Sequence, residues 1–212
     1  MIRLVHLQIM HIAILSSSTR LNRQSHRAAL GLARMLEQSG DHTVEVLDLV
    51  VYQFPLLEEV LHRHPNAPEG LREFAGKIRQ TDALLFVSPE YNGSYTAALK
   101  NAVDYLKEGE CAQKVIGVVG VTSGMLGGIR AALSMQQLVL GLSAFPIPQM
   151  LPVGQVAQKF DETGVLLDPA FEKNMQVFLQ QFLWLAEAVA VKKASDAGGV
   201  EKYNNQVTPA TT

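Results

Sequence analysis

Three short stretches carry the side chains with which this chain could do chemistry. In residues 14–30, ILSSSTRLNRQSHRAAL, an apolar run stops against Ser16, Ser17, Ser18 and Thr19, followed by Arg20, Arg23, Gln24 and Ser25 and then by a helical pattern. Hydroxyls, guanidiniums and the first amides of a helix are all donors. Together they suit a terminal phosphate monoester, a near-dianion that takes several donors and a helix N-terminus. The loop has no glycine, so it offers neither the GxGxxG turn of a dinucleotide site nor a P-loop. The plainer alternative is a helix cap in a solvated turn.

The second stretch, residues 88–101, reads SPEYNGSYTAALKN. Pro89, Asn92 and Gly93 suit a turn. Tyr91 and Tyr95 supply aromatic surface, and Glu90 and Asn92 supply directional polar groups. A flat heteroaromatic ligand with donors and acceptors on its edge would fit there; the alternative is a turn that happens to hold aromatics. The third stretch, residues 121–128, reads VTSGMLGG. Thr122 and Ser123 could bond a ligand edge, and Gly124, Gly127 and Gly128 would permit close backbone approach. Read more plainly, it is a glycine-loosened entry to a helix.

Such loops need a frame. Apolar runs rich in branched residues at 9–15, 44–49, 83–87 and 115–121 are spaced by segments long enough for helices, which predicts βαβ repetition around a parallel sheet buried on both faces. A fifth strand is expected near 144–150, made irregular by Pro146 and Pro148. Helical spacing covers 25–38, ending at Gly40, then 69–79, 96–106 and 129–141, with a last helix from Asp168-Pro169 to about residue 193. Ligands bind such sheets beyond the carboxyl ends of the strands, where the three stretches would lie.

With 212 residues, 48% of them hydrophobic, the chain can bury one sizeable core. A single domain is expected over residues 1–194, with 1–8 a short extension and 195–212 a polar, mobile tail or an arm ordered by a partner subunit. A formal net charge of -2 with no basic stripe argues against nucleic acid and for small-molecule partners. Cys111 is the single cysteine, which excludes an internal disulfide and suits a reducing, cytoplasmic setting. The six histidines form no zinc motif, so no metal is expected. The apolar stretch VFLQQFLWLAEAVAV is too short and polar to span a bilayer, so no membrane association is expected. Hydrolase chemistry is disfavoured, because GxSxG is absent and Asp82 precedes its strand, at the wrong end of the sheet.

Taken together, SSSTRLNRQS, SPEYNGSYTAALKNAVDYL and TSGMLGG resemble the NAD(P)H-dependent FMN reductases of the flavodoxin-like superfamily, with their related quinone and azo-dye reductases. The resemblance runs over about residues 10–182. It implies a three-layer α/β/α sandwich with a five-stranded parallel sheet in the order 2-1-3-4-5, where strands one and three meet at the switch point. It implies that the first loop holds the FMN phosphate through Ser18, Arg20, Gln24 and Ser25. Pro89, Glu90, Tyr91, Asn92 and Gly93 would hold the ring and ribityl region, and Ser123 and Gly124 the pyrimidine edge. Four positions depart from the family pattern: Ser17 stands where glycine is usual, Asn22 where glycine is frequent, and Thr96-Ala97 where Pro-Gly is common.

The implied activity is a reductase in which the flavin carries the chemistry and no side chain is a catalytic acid or nucleophile. NADPH or NADH would give a hydride to FMN and leave. A flavin, quinone or azo compound would then take its place in a ping-pong cycle. The resemblance also implies a homodimer, or a tetramer built from it. The competing class is an FMN-binding electron carrier or redox-responsive binding protein without reductase turnover. The tyrosine loop and the near-neutral charge favour the enzyme.

Overall fold

The computed structural model describes residues 9–40, 42–107 and 109–197. Their order is β1 (His11–Ser16), α1 (Ser25–Ser39), β2 (Thr43–Asp48), α2 (Leu49–Tyr52), α3 (Leu71–Gln80), β3 (Ala83–Pro89) and α4 (Ala97–Asp104). There follow β4 (Val115–Val121), α5 (Ile129–Gly141), β5 (Phe145–Pro146), β6 (Leu151–Val153), α6 (Val156–Lys159) and α7 (Pro169–Ala197). All strand pairings are parallel, in the order β2-β1-β3-β4-β5, with β6 also on β4. This is the flavodoxin-like order.

Strands β3 and β4 are buried almost throughout, β1 from its second residue on, as parallel strands covered on both faces must be. Period-two alternation divides their side chains between two cores. Ile12, Ile14, Leu85 and Val119 face α1 and α7; Ala13, Leu15, Leu84, Phe86 and Val118 face α3, α4 and α5. On α1 the residues Ala28, Ala29, Leu32, Ala33 and Leu36 form the buried stripe, at the spacing a helix packed by one face requires. Gly40, after it, has φ 168°, an extended conformation open to any residue, so no left-handed cap ends this helix.

The fifth position of the sheet differs in detail from the expected single strand. β5 pairs with Val115–Ile116 and β6 with Val119–Val121, so two short strands share the edge of β4. Between them the Ile147 carbonyl accepts from Gln136 Nε2 at 2.8 Å, which replaces a ladder bond. Helix α7 continues to Ala197. The remainder of the expected tail, residues 198–212, and the extension at 1–8 lie outside the described residues.

Candidate active site

The carboxyl ends of β1, β3 and β4 are tied side by side before their loops diverge. The Ser17 N–H donates to Val87 O at 3.0 Å, Glu90 N–H to Val121 O at 3.1 Å, and Thr122 N–H to Val153 O at 2.9 Å. Sheet register therefore brings the three sequence stretches to one rim.

In the first loop, Ser16, Ser17 and Ser18 are buried. Arg23 makes a bidentate ion pair with Asp48 at the end of β2, and its Nη1 also donates to Ser18 O at 3.0 Å. Burial works to raise the Asp48 pKa, but the Arg23 hydrogen bonds and charge, with the Val50 N–H, hold it below its ordinary value. Arg23 is thus neutralised and fixes the loop. Arg20 is different. Among the described residues it forms no ion pair, and its guanidinium lies over the Tyr91 ring, 5.6 Å from the centroid. No side chain caps the N-terminus of α1, and its first turn holds no acidic residue. The Ser25 hydroxyl there is buried and has no hydrogen-bond partner among the described residues.

His26 Nδ1 lies 3.0 Å from Ser16 Oγ and 3.9 Å from Asp48 Oδ2. A serine–histidine–aspartate relay needs the two ring nitrogens to face different partners. Here both partners meet the same nitrogen, and Ser16 is fully buried. Burial pushes the His26 pKa down, Asp48 opposes this and Arg23 adds to it.

The second loop turns tightly after β3, with the Tyr91 and Ser94 backbones bridged. Asn92 at φ 51° and Gly93 at φ 83° supply the left-handed backbone this turn requires. The Tyr91 hydroxyl reaches back to Ser18 Oγ at 3.2 Å. Glu90 is held by Arg130, whose Nε donates to Oε1 at 2.7 Å and whose main-chain N–H donates to Oε2 at 3.1 Å.

In the third loop two of the glycines lie hard against neighbouring backbone. A Cβ on Gly128 would come within 2.6 Å of Val121 N, and one on Gly127 within 2.7 Å of Pro152 Cβ. A Cβ on Gly120 would stand 2.1 Å from Gly128 O. These residues let the chain fold back against β4 and β6. The Gly124 carbonyl accepts from Thr122 Oγ1 and from Gln155 N–H, both at 2.9 Å, and so ties this loop to the segment before α6.

The loops enclose one cleft of about 310 Å³. Of the residues picked out from sequence, Ser18, Arg20, Gln24, Ser25, Pro89, Glu90, Tyr91 and Ser123 line it; Asn92, Gly93 and Gly124 do not. Asn92 and Gly93 shape the turn that presents Tyr91, and Gly124 braces the neighbouring loop. Asn22, Arg23, Val121, Thr122 and Val156 complete the lining. Of these only Val156 had no motif to mark it.

A family model described as NADPH-dependent FMN reductase matches residues 10–158, well over half of the chain. The chain belongs to the NADPH-dependent FMN reductase family. The match spans β1 to α6 and so includes all three loops. Like other members of this reductase family, the protein is a flavin-dependent oxidoreductase that works with FMN and NAD(P)H. It is similar to a quinone reductase of Pseudomonas putida, 30% identical over 182 residues covering 82% of this chain and 94% of the relative. It is also similar to an NAD(P)H-dependent FMN reductase of Pseudomonas aeruginosa, 33% identical over 124 residues, 56% of this chain and 66% of the relative. In fold it resembles the flavoenzyme NAD(P)H:(acceptor) oxidoreductase FerB from Paracoccus denitrificans, with a TM-score of 0.71 at 24% identity over 85% of this chain and 98% of that one. Among the described residues no helix is long and apolar enough to cross a membrane, and no group of three or more His, Cys, Asp or Glu could hold a metal ion.

Proposed function

We propose that the cleft binds FMN with its phosphate at the start of α1, and that a nicotinamide nucleotide and a small acceptor use the same opening in turn. The observation that carries this reading is the state of the donors. Among the described residues the Ser25 hydroxyl is buried and unpartnered, the α1 N-terminus has no side-chain cap, and Arg20 meets no carboxylate. A phosphate monoester would satisfy all three. Ser18 and Gln24 complete that end. Pro89, Glu90, Tyr91 and Ser123 form the ring end, with Asn92, Gly93 and Gly124 holding their loops in shape.

Bound FMN supplies the hydride and electron chemistry. The side chains bind, orient and exclude water; none in the cleft is arranged as an acid/base pair. Glu90 is paired with Arg130, and Asp104, on α4, with Lys100. A cleft of this size leaves little room for donor and acceptor together, which favours a ping-pong cycle with a flavin, quinone or azo compound as acceptor. The proposed setting is cytoplasmic. The proposed assembly is a homodimer, or a tetramer of such dimers, supported by the exposed apolar side chains Leu21 in the first loop and Met125 and Leu126 in the third.

Steady-state kinetics with NADPH or NADH against a quinone should give parallel double-reciprocal lines. Intersecting lines would mean that both substrates bind at once. Flavin that dithionite reduces but neither nucleotide does would defeat the reductase reading. Light scattering during size-exclusion chromatography reads the assembly, and a monomer at micromolar concentration would refute that part.

A further inference from the structure

Among the described residues that line the cleft, Glu90 is the only carboxylate. Its partner Arg130 stands outside, at the start of α5. Besides the two hydrogen bonds already described, Arg130 Nη2 lies 2.5 Å from Glu90 Oε1. The Glu90 side chain is 10% exposed and that of Arg130 66%. Glu90 thus belongs to the cleft wall, and the cation that cancels it lies toward solvent.

A brace between two loops needs no charge, since an amide would serve. What a charged pair adds is control of the field along the cleft wall. Arg23 is already cancelled by Asp48, and Arg20 belongs to the phosphate end. Beyond these two, Glu90 is the one charged residue among the described residues of the lining, and Arg130 pairs with it.

We propose that the Glu90–Arg130 pair tunes the reduction potential of flavin bound in this cleft, with Arg130 acting as a positioning residue that cancels the one carboxylate on its wall. The inference rests on the reading of the cleft as the FMN site. In the reductive half-reaction the nicotinamide loses a hydride, that is two electrons and one proton, and is oxidised. FMN held here would take up that hydride, adding one negative charge beside the Glu90–Arg130 pair until a further proton came from solvent. A carboxylate stripped of its guanidinium opposes that charge; a guanidinium stripped of its carboxylate favours it.

The two single variants therefore push in opposite directions. Arg130→Met lowers the potential and Glu90→Gln raises it. Each shifts the two-electron reduction equilibrium by roughly three- to tenfold, tenfold being about 30 mV. The Glu90→Gln shift is the smaller, because the exposed guanidinium is screened by salt. The double variant returns close to wild type, and Arg130→Lys, which keeps the charge, stays there.

The test is a flavin titration followed by equilibrium against a reference dye, on FMN-loaded wild type and the four variants at low ionic strength. Opposite shifts that cancel in the double variant support the proposal. Shifts of the same sign in both single variants, or no shift in either, overturn it and leave the pair a mechanical brace. If Arg130→Met does not fold, Glu90→Gln and Arg130→Lys decide: an unmoved potential in the first, or one lowered in the second as far as lost charge predicts, overturns it. Failure of wild type to take up FMN in the titration defeats the reading of the cleft, and that is seen before any potential is measured.

Discussion

The Thr96 hydroxyl lies 3.0 Å from the Ser17 hydroxyl and 3.1 Å from the Ser17 carbonyl oxygen, and both residues are buried. These are two of the positions at which the sequence departs from the family pattern. Thr96 also accepts the Leu99 N–H at 3.1 Å as the cap of α4, and its own N–H donates to Ser88 Oγ at 3.0 Å, a bond proline could not make. The departures compensate one another: a hydroxyl pair joins the first and second loops.

Thr96→Ala should therefore cost about 2–3 kcal/mol, because it removes a helix cap and leaves buried Ser17 groups unpaired. Ser17→Ala should cost about 1 kcal/mol. Urea unfolding of both single variants and the double variant should give a coupling of about 0.5–1.5 kcal/mol. Strict additivity would mean that the two hydroxyls do not act on each other.

Arg20→Ala should weaken FMN binding about 10- to 150-fold, the equivalent of one charge-assisted hydrogen bond, while riboflavin, which lacks the phosphate, should hardly respond. Fluorescence titration with both flavins checks this. Equal losses would assign Arg20 to its stacking on Tyr91 rather than to the phosphate.

Ser25→Ala separates binding from folding. Removing a buried hydroxyl that has no partner should leave the thermal midpoint unchanged or raise it by a few degrees. FMN affinity should nevertheless fall, by about fivefold for one hydrogen bond worth roughly 1 kcal/mol. A lower midpoint with unchanged affinity would contradict the assignment of Ser25 to the phosphate.

Alkaline pH should expose the one cysteine. Burial pushes the Cys111 thiol up to about 11, with Lys114 opposing and Glu110 adding, against 9.0 for the free group. Between these values the unfolded chain gives up a proton that the folded chain keeps. The contribution is fully present below pH 9 and is lost as pH rises through about 11. Urea midpoints at pH 8 and pH 10 should differ less in Cys111→Ala than in the wild type. At pH 8 a thiol reagent should label only unfolded protein; rapid labelling of the native chain would show that the thiol is not buried.

What could be read in advance follows from which forces are local. β1, β3 and β4 announce themselves because strands covered on both faces must be apolar throughout. β6 could not, since Pro152 at its centre speaks against a strand and only the edge of β4 makes it one. α2 and α6 span four residues each, too few for any periodicity to show. The site divides the same way. Hydroxyls, the tyrosine turn and Arg20 are marked by short motifs. The pairing of Arg23 with Asp48 joins residues 25 apart, and that of Glu90 with Arg130 residues 40 apart; both depend on strand order. In the third loop the sequence does not show that Gly127 and Gly128 lie against the backbone of β6 and β4, since that close approach also depends on strand order.

That last approach bears on how this protein could be altered. At Gly120 and Gly128 main chain lies against main chain, with a Cβ on the first only 2.1 Å from the carbonyl oxygen of the second. No rotamer change can relieve such a collision, and a substitution at one position has no compensating partner at the other. A mutational library across the cleft should therefore yield folded protein with changes at Ser123, Met125 and Leu126, at the tip of the loop, and none with changes at the two glycines beneath it. Diversity of acceptor preference can be sought in that tip, while its foundation stays closed to change.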